Sequence, residues 1–217
     1  GDVHLAKFSS DGSSLLYGTY LGGAASEFGE THNLWVAASG VAYVAVTSTS
    51  SDYPTTAGAF DISFNGQGGP STGQATNYPG DGVVSQIDTT RSGSASLLAS
   101  TFIGGRYGEG IEGIAVDAQG RVYLSGATYS SNFPITADAQ QTNLAGQADF
   151  FAMVLSPDLS QVLYATYVGG SGVDYGRTAF ATTGGAIYVA GQVDSPDWPL
   201  LNPVQSSHRG GMDGGLA

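Results

Sequence analysis

Thr19-Tyr20-Leu21-Gly22-Gly23 returns as Thr101-Phe102-Ile103-Gly104-Gly105 and again as Thr166-Tyr167-Val168-Gly169-Gly170. One such match would mean little; three in a fixed order mark a tandem repeat, and a repeat decides the architecture before any residue is given a role. A second element follows each copy: Gly40-Val41-Ala42-Tyr43-Val44, Gly120-Arg121-Val122-Tyr123-Leu124 and Gly185-Ala186-Ile187-Tyr188-Val189. Ten residues beyond each of these tyrosines stands an aromatic before proline, as Tyr53-Pro54, Phe133-Pro134 and Trp198-Pro199. The fourth element is a short apolar run headed by Asp2, Asp81, Asp149 and Asp213, at spacings of 79, 68 and 64 residues. Residues 2–212 therefore hold three repeats, and residues 213–217 open a fourth.

Between these landmarks β-branched and aromatic residues alternate with small ones, as Val122 and Leu124 do with Tyr123 and Ser125. Asp-Gly, Gly-Gly and Ser-Pro-Asp clusters supply the turns, and no 3.6-residue period runs for any length. Each unit reads as four short strands, placed in the middle of the chain near 113–116, 121–127, 150–155 and 161–167. The period is too long for a β-helix and a sandwich would not repeat, so the expected fold is all-β, a β-propeller of four-stranded antiparallel blades. About three blade-equivalents are expected: an outer hairpin from 2–21, whole blades from 34–105 and 112–170, and an inner hairpin from 178–193. Propellers close with roughly four to eight blades, so this chain is expected not to seal a ring by itself. The start of another repeat at its end leads to the expectation of a longer polypeptide or of a partner chain.

The sequence resembles the SBBP repeat family, a bacterial β-propeller repeat found in tandem in large exported proteins. The likeness lies in 5–23, Leu-Ala-Lys-Phe-Ser-Ser-Asp-Gly-Ser-Ser-Leu-Leu-Tyr-Gly-Thr-Tyr-Leu-Gly-Gly, in 114–123, Ile-Ala-Val-Asp-Ala-Gln-Gly-Arg-Val-Tyr, and in Phe133-Pro134-Ile135-Thr136. It extends over essentially the whole chain. The resemblance implies a propeller fold and an extracellular or cell-surface location; it brings no catalytic motif.

The 217 residues carry a net charge of −12, from 18 Asp plus Glu against one Lys and five Arg. So few cations cannot neutralise a phosphate backbone, and a nucleic-acid partner is not expected. No apolar run approaches the length of a membrane span, the N-terminus lacks the pattern of a signal peptide, and the absence of Cys excludes disulfides and thiolate metal sites. Gly108-Glu109-Gly110-Ile111-Glu112-Gly113 matches the dinucleotide fingerprint, but strand residues follow it where a helix is required, so a glycine-rich loop between blades is the expectation. His4, His32 and His208 fall in different repeats without zinc spacing, and no G-x-S-x-G elbow supports a hydrolase triad. No cofactor is expected. The repeated Asp residues have two readings, calcium ligands at a blade edge or carboxylates that accept backbone N–H groups at a strand entrance. Equivalent residues in successive blades are rotated apart, so they cannot converge on one ion.

Residues that repeat build a scaffold, and function is sought where the repeats disagree. Aligned on the repeated tyrosine, the position before the inner strand holds His32, Glu112 and Arg177, and a position within it holds Trp35, Ala115 and Phe180. The segment 61–80 is longer than its counterparts by about a dozen residues and carries five Gly with Phe64 and Tyr78. Candidate partner-binding residues are thus His32, Trp35, Phe64, Tyr78, Glu112 and Arg177, against the alternatives of loop variation and a tolerated insertion. The expected function is a non-enzymatic, exported scaffold or binding module whose partner is a protein, further blades of the same polypeptide, or polysaccharide. The competing class is a propeller enzyme on polysaccharide, of glycosidase or lyase type, which needs two carboxylates beside an aromatic platform.

Overall fold

The structure, a computed structural model, describes residues 1–29, 33–66 and 78–217. Among the described residues helix amounts to the short 3-10 segment Gly93–Ser96, and the fold is all-β. Strands β1 (Val3–Phe8) and β2 (Leu15–Leu21) form a first antiparallel sheet. In the second sheet β3 (Glu27–Phe28) and β4 (Leu34–Val36) both pair with β5 (Val41–Ser48), which is followed by β6 (Asp81–Asp88) and β7 (Leu97–Ile103). The third is the meander β8 (Glu109–Val116), β9 (Val122–Thr128), β10 (Asp149–Leu155) and β11 (Val162–Val168). β12 (Asp174–Ala181), β13 (Ile187–Val193) and β14 (Asp213–Leu216) make the fourth.

The order is that expected, with two differences. The first strand of the second sheet is split into β3 and β4, and the last sheet has a third strand because the final Asp-headed run pairs with β13. None of the sheets closes on itself, and among the described residues β1 pairs only with β2 and β14 only with β13.

The repeated elements form joints. Gly40, Gly120 and Gly185 sit at φ of 86°, 82° and 86° in the turns that join the first two strands of each unit, a region that glycine enters without strain. Tyr53, Phe133 and Trp198, the aromatics before proline, are buried and pin the crossing loop onto the sheet; Phe133 lies 4.7 Å from Phe151 and Trp198 4.7 Å from Phe150. The Asp residues accept backbone N–H groups of the loop before them, Asp149 from Ala145 and Gly146, Asp213 from Arg209.

Alternate residues of each strand serve opposite faces. Tyr43, Ala45 and Val84 of the second sheet meet Ile114, Leu124, Phe151 and Met153 of the third, while Ala42, Val44 and Val46 turn back onto Leu5 and Leu21 of the first. Phe150, Ala152 and Val168 of the third sheet pack on Val189 and Val193 of the fourth. The sheets therefore stack face to face in chain order, which is why β9 and β10 are buried on both sides and show little of the polar alternation of a half-solvated strand. Strand β8 touches both β4 and β12, so the first strands of successive sheets lie side by side.

Candidate functional site

Glu112 and Arg177 occupy the same place in successive units, and each is an extra residue in its strand. On β8 the register steps from Ile111 opposite Gly126 to Gly113 opposite Ser125, which leaves Glu112 unpaired. On β12 it steps from Gly176 opposite Gly191 to Thr178 opposite Ala190, which leaves Arg177 unpaired. Such bulges re-aim one side chain. Here they aim both into the seam between the third and fourth sheets, where Arg177 Nη1 lies 3.0 Å from Glu112 Oε1.

Tyr78 completes the cluster. Its hydroxyl donates to Glu112 Oε1 and accepts from Arg177 Nη1 at 3.2 Å, while Arg177 Nη2 donates to Gln192 at 3.1 Å. The Tyr78 ring stands edge-on to Tyr175, 6.1 Å between centroids, and Tyr175 shares a 2.9 Å hydroxyl contact with Tyr129. Glu112 and Tyr78 are buried, and the Arg177 side chain is about one-third exposed. With Arg177 and Tyr78 both on one oxygen, Glu112 is engaged as the acceptor of a latch, an arrangement that fastens two sheets and the segment leading into β6.

Two glycines of the apparent nucleotide fingerprint, Gly110 and Gly113, lie in strand β8 itself, where a loop was expected, and Gly108 immediately precedes it. A Cβ at Gly110 would overlap the Tyr78 ring, one at Gly108 the Tyr78 carbonyl, and one at Gly113 the backbone of Thr178 and Ala179. The spacing serves close approach, with no phosphate implied.

Of the six candidates, the structure brings together Tyr78, Glu112 and Arg177. Phe64 packs on Phe102 at 6.0 Å as part of the core, where Leu144 stands in the next unit. Trp35 lies on β4 opposite Tyr43, partly exposed and outside this cluster. His32 lies outside the described residues.

Sequence reasoning missed a second repeated acid. Glu27, Glu109 and Asp174 each follow the Gly-Gly pair by four residues, and each accepts the N–H of the second glycine, from Gly23 at 3.4 Å, Gly105 at 3.0 Å and Gly170 at 2.9 Å. Their spacing is constant in the sequence, but the residue changes from Glu to Asp, so the position does not read as a repeated residue. Each of these acids lies beside one of those Asp residues, so Asp2, Asp81 and Asp149 acquire partners from the following unit. Among the described residues no group of three His, Asp or Glu forms a metal cluster. The acids Asp81 and Glu109 are sealed from solvent, where no polysaccharide could reach them.

No protein-family model matches the chain, and no curated protein matches it.

Proposed function

We propose that this chain is a non-enzymatic β-propeller module, exported to the outside or surface of a bacterial cell, that serves as a scaffold and binds through the open faces of its first and last sheets. One comparison carries the reading. The repeated tyrosine of the second strand faces the sheet that follows: Tyr43 is 8% exposed, Tyr123 is 0% exposed, and Tyr188 of the last sheet is 49% exposed. The aromatic of the Gly-Gly element faces the sheet that precedes: Tyr167 is 0% exposed, Phe102 is 1%, and Tyr20 of the first sheet is 75%. The same residue is thus a seam residue inside and a bare one at either end.

Phe180, Tyr188, Ala190 and Leu216 line one face of the last sheet through direct cross-strand pairing, and Phe8, Leu15, Leu16 and Tyr20 are exposed on the first hairpin. Apolar patches of this kind mark interaction surfaces, since covering each large side chain contributes about 1.5–3 kcal/mol. The occupant that fits is another sheet of the same repeat, because the internal seams show which side chains it would bring. Face-to-face stacking of successive sheets, with the first strands side by side, is what supports the propeller reading; export rests on the resemblance to SBBP repeats.

Static light scattering over a concentration series tests this. The chain should associate as concentration rises, and Tyr20→Ser with Tyr188→Ser should return it to monomer with an unchanged circular-dichroism spectrum. A wild-type chain that stays monomeric and binds no apolar dye would refute the reading.

A further inference from the structure

Asp81 heads β6 and Glu109 heads β8, and both carboxylates are buried in the seam between the second and third sheets, with no accessible surface. The point where a side chain on Gly104 would begin lies 2.6 Å from Asp81 Oδ1 and 2.7 Å from Glu109 Oε2. Both oxygens thus sit around one small space that only a glycine leaves open.

The donors around them are unequal. Asp81 Oδ2 accepts Asn65 N–H at 2.6 Å; Glu109 accepts Gly105 N–H at 3.0 Å and the Thr128 hydroxyl at 2.7 Å. Asp81 Oδ1 has no partner at hydrogen-bond geometry, although the Gly66 N–H lies close enough to stabilise the carboxylate. Among the described residues no Lys, Arg or His lies within 4 Å of either carboxylate. The next seam provides the contrast: both oxygens of Asp149 and both of Asp174 are engaged, by Gln141, Ala145 and Gly146 and by Gly170, Asp194 and Ser195.

Two facing buried anions with a bare oxygen between them require a compensating positive charge. Calcium takes about six to eight oxygens, and this pair leaves few lone pairs once its donors are counted. A proton needs one oxygen on each side. We infer that Asp81 and Glu109 share a single proton in the folded chain, so that this seam is a proton-binding site and its protonation sets how tightly the second and third sheets hold.

The electrostatics agree. Burial, with Asp61 as a further repulsive charge, raises Asp81 to about 7; burial, with Asp81 itself adding repulsion, raises Glu109 to about 8. Among the described residues the Tyr167 phenol on β11 also faces Glu109, and it is pushed up to about 12 by burial and by the charges of Glu109 and Asp149. A carboxyl whose value is higher folded than unfolded binds more protons in the folded state, so its contribution to stability is lost as pH rises from about 4 to 8.

The test uses the full chain. Thermal midpoints are measured at pH 5.5, 7.0 and 8.5 for wild type, Asp81→Asn and Glu109→Gln, with calcium and with chelator, beside infrared spectra of the carboxyl stretch. The wild-type midpoint should fall across this range, either substitution should flatten that fall, calcium should change nothing, and a protonated-carboxyl band present at pH 7 should shift in Asp81→Asn and vanish when Glu109→Gln is added to it. If Asp81→Asn does not fold, Glu109→Gln and the wild-type infrared titration decide. A midpoint raised by calcium, or a pair ionised at pH 7 with a slope the substitutions leave unchanged, would overturn the inference.

Discussion

Arg177 and Glu112 show how much a single extra residue can change. A strand alternates its side chains strictly, and one inserted residue turns a position that would point elsewhere into the seam. Alignment of the repeats marked these positions as the ones that differ, but the hydrophobic pattern does not record a bulge, and nothing in the sequence says that Glu112 and Arg177 meet. The repeated tyrosines were legible in the opposite sense. Their recurrence predicted structural duty, and their burial inside the stack agrees. The latch predicts a stability cost. Arg177→Met leaves Glu112 buried with Tyr78 as donor, and should destabilise the chain by about 2 kcal/mol, less than a sealed ion pair because Arg177 is partly in water. Urea unfolding of Arg177→Met and Glu112→Gln, with the double variant to close the cycle, measures the pair; a coupling below about 0.5 kcal/mol would mean that the contact is incidental.

At the scale of elements, strand order and hairpin pairing were readable from the repeated landmarks, because turn chemistry and β-propensity are local. Strand β8 starts four residues before the expected 113, since its glycines look like a loop until the neighbouring sheet that they accommodate is in view. The long segment of the second unit also divides differently. Asn65 N–H binds Asp81 as Ala145 N–H binds Asp149, and Tyr78 is buried in the latch, so the insertion proper is confined to 67–77. Gly66 lies against the Gly80 backbone, so the two ends of the insertion are close together, and three residues, 77–79, remain between them when 67–76 is removed. Deleting 67–76 should therefore preserve the fold and its melting temperature to within a few degrees, whereas Tyr78→Ala should cost about 2–4 kcal/mol through lost burial and the loss of one of the two donors to Glu112. Scanning calorimetry distinguishes these, and loss of folding on the deletion would show that the insertion belongs to the scaffold.

For the whole molecule, the face-to-face stack follows from a repeat that puts apolar residues on both sides of every sheet. A sheet of that kind is satisfied only when it has neighbours on both faces. The sequence revealed this need through its repetition, but it could not show what meets the two terminal faces, because that depends on groups beyond the residues that expose them. The proposed function has the chain form part of a propeller whose first and last sheets are seam surfaces. The direct measurement is an experimental density map, by crystallography or electron microscopy, of the chain in its assembled form. The account predicts a further antiparallel sheet packed on Tyr188 and Phe180 and another on Tyr20. A monodisperse chain with both faces in solvent, or a ring sealed by pairing β1 with β14, would contradict it.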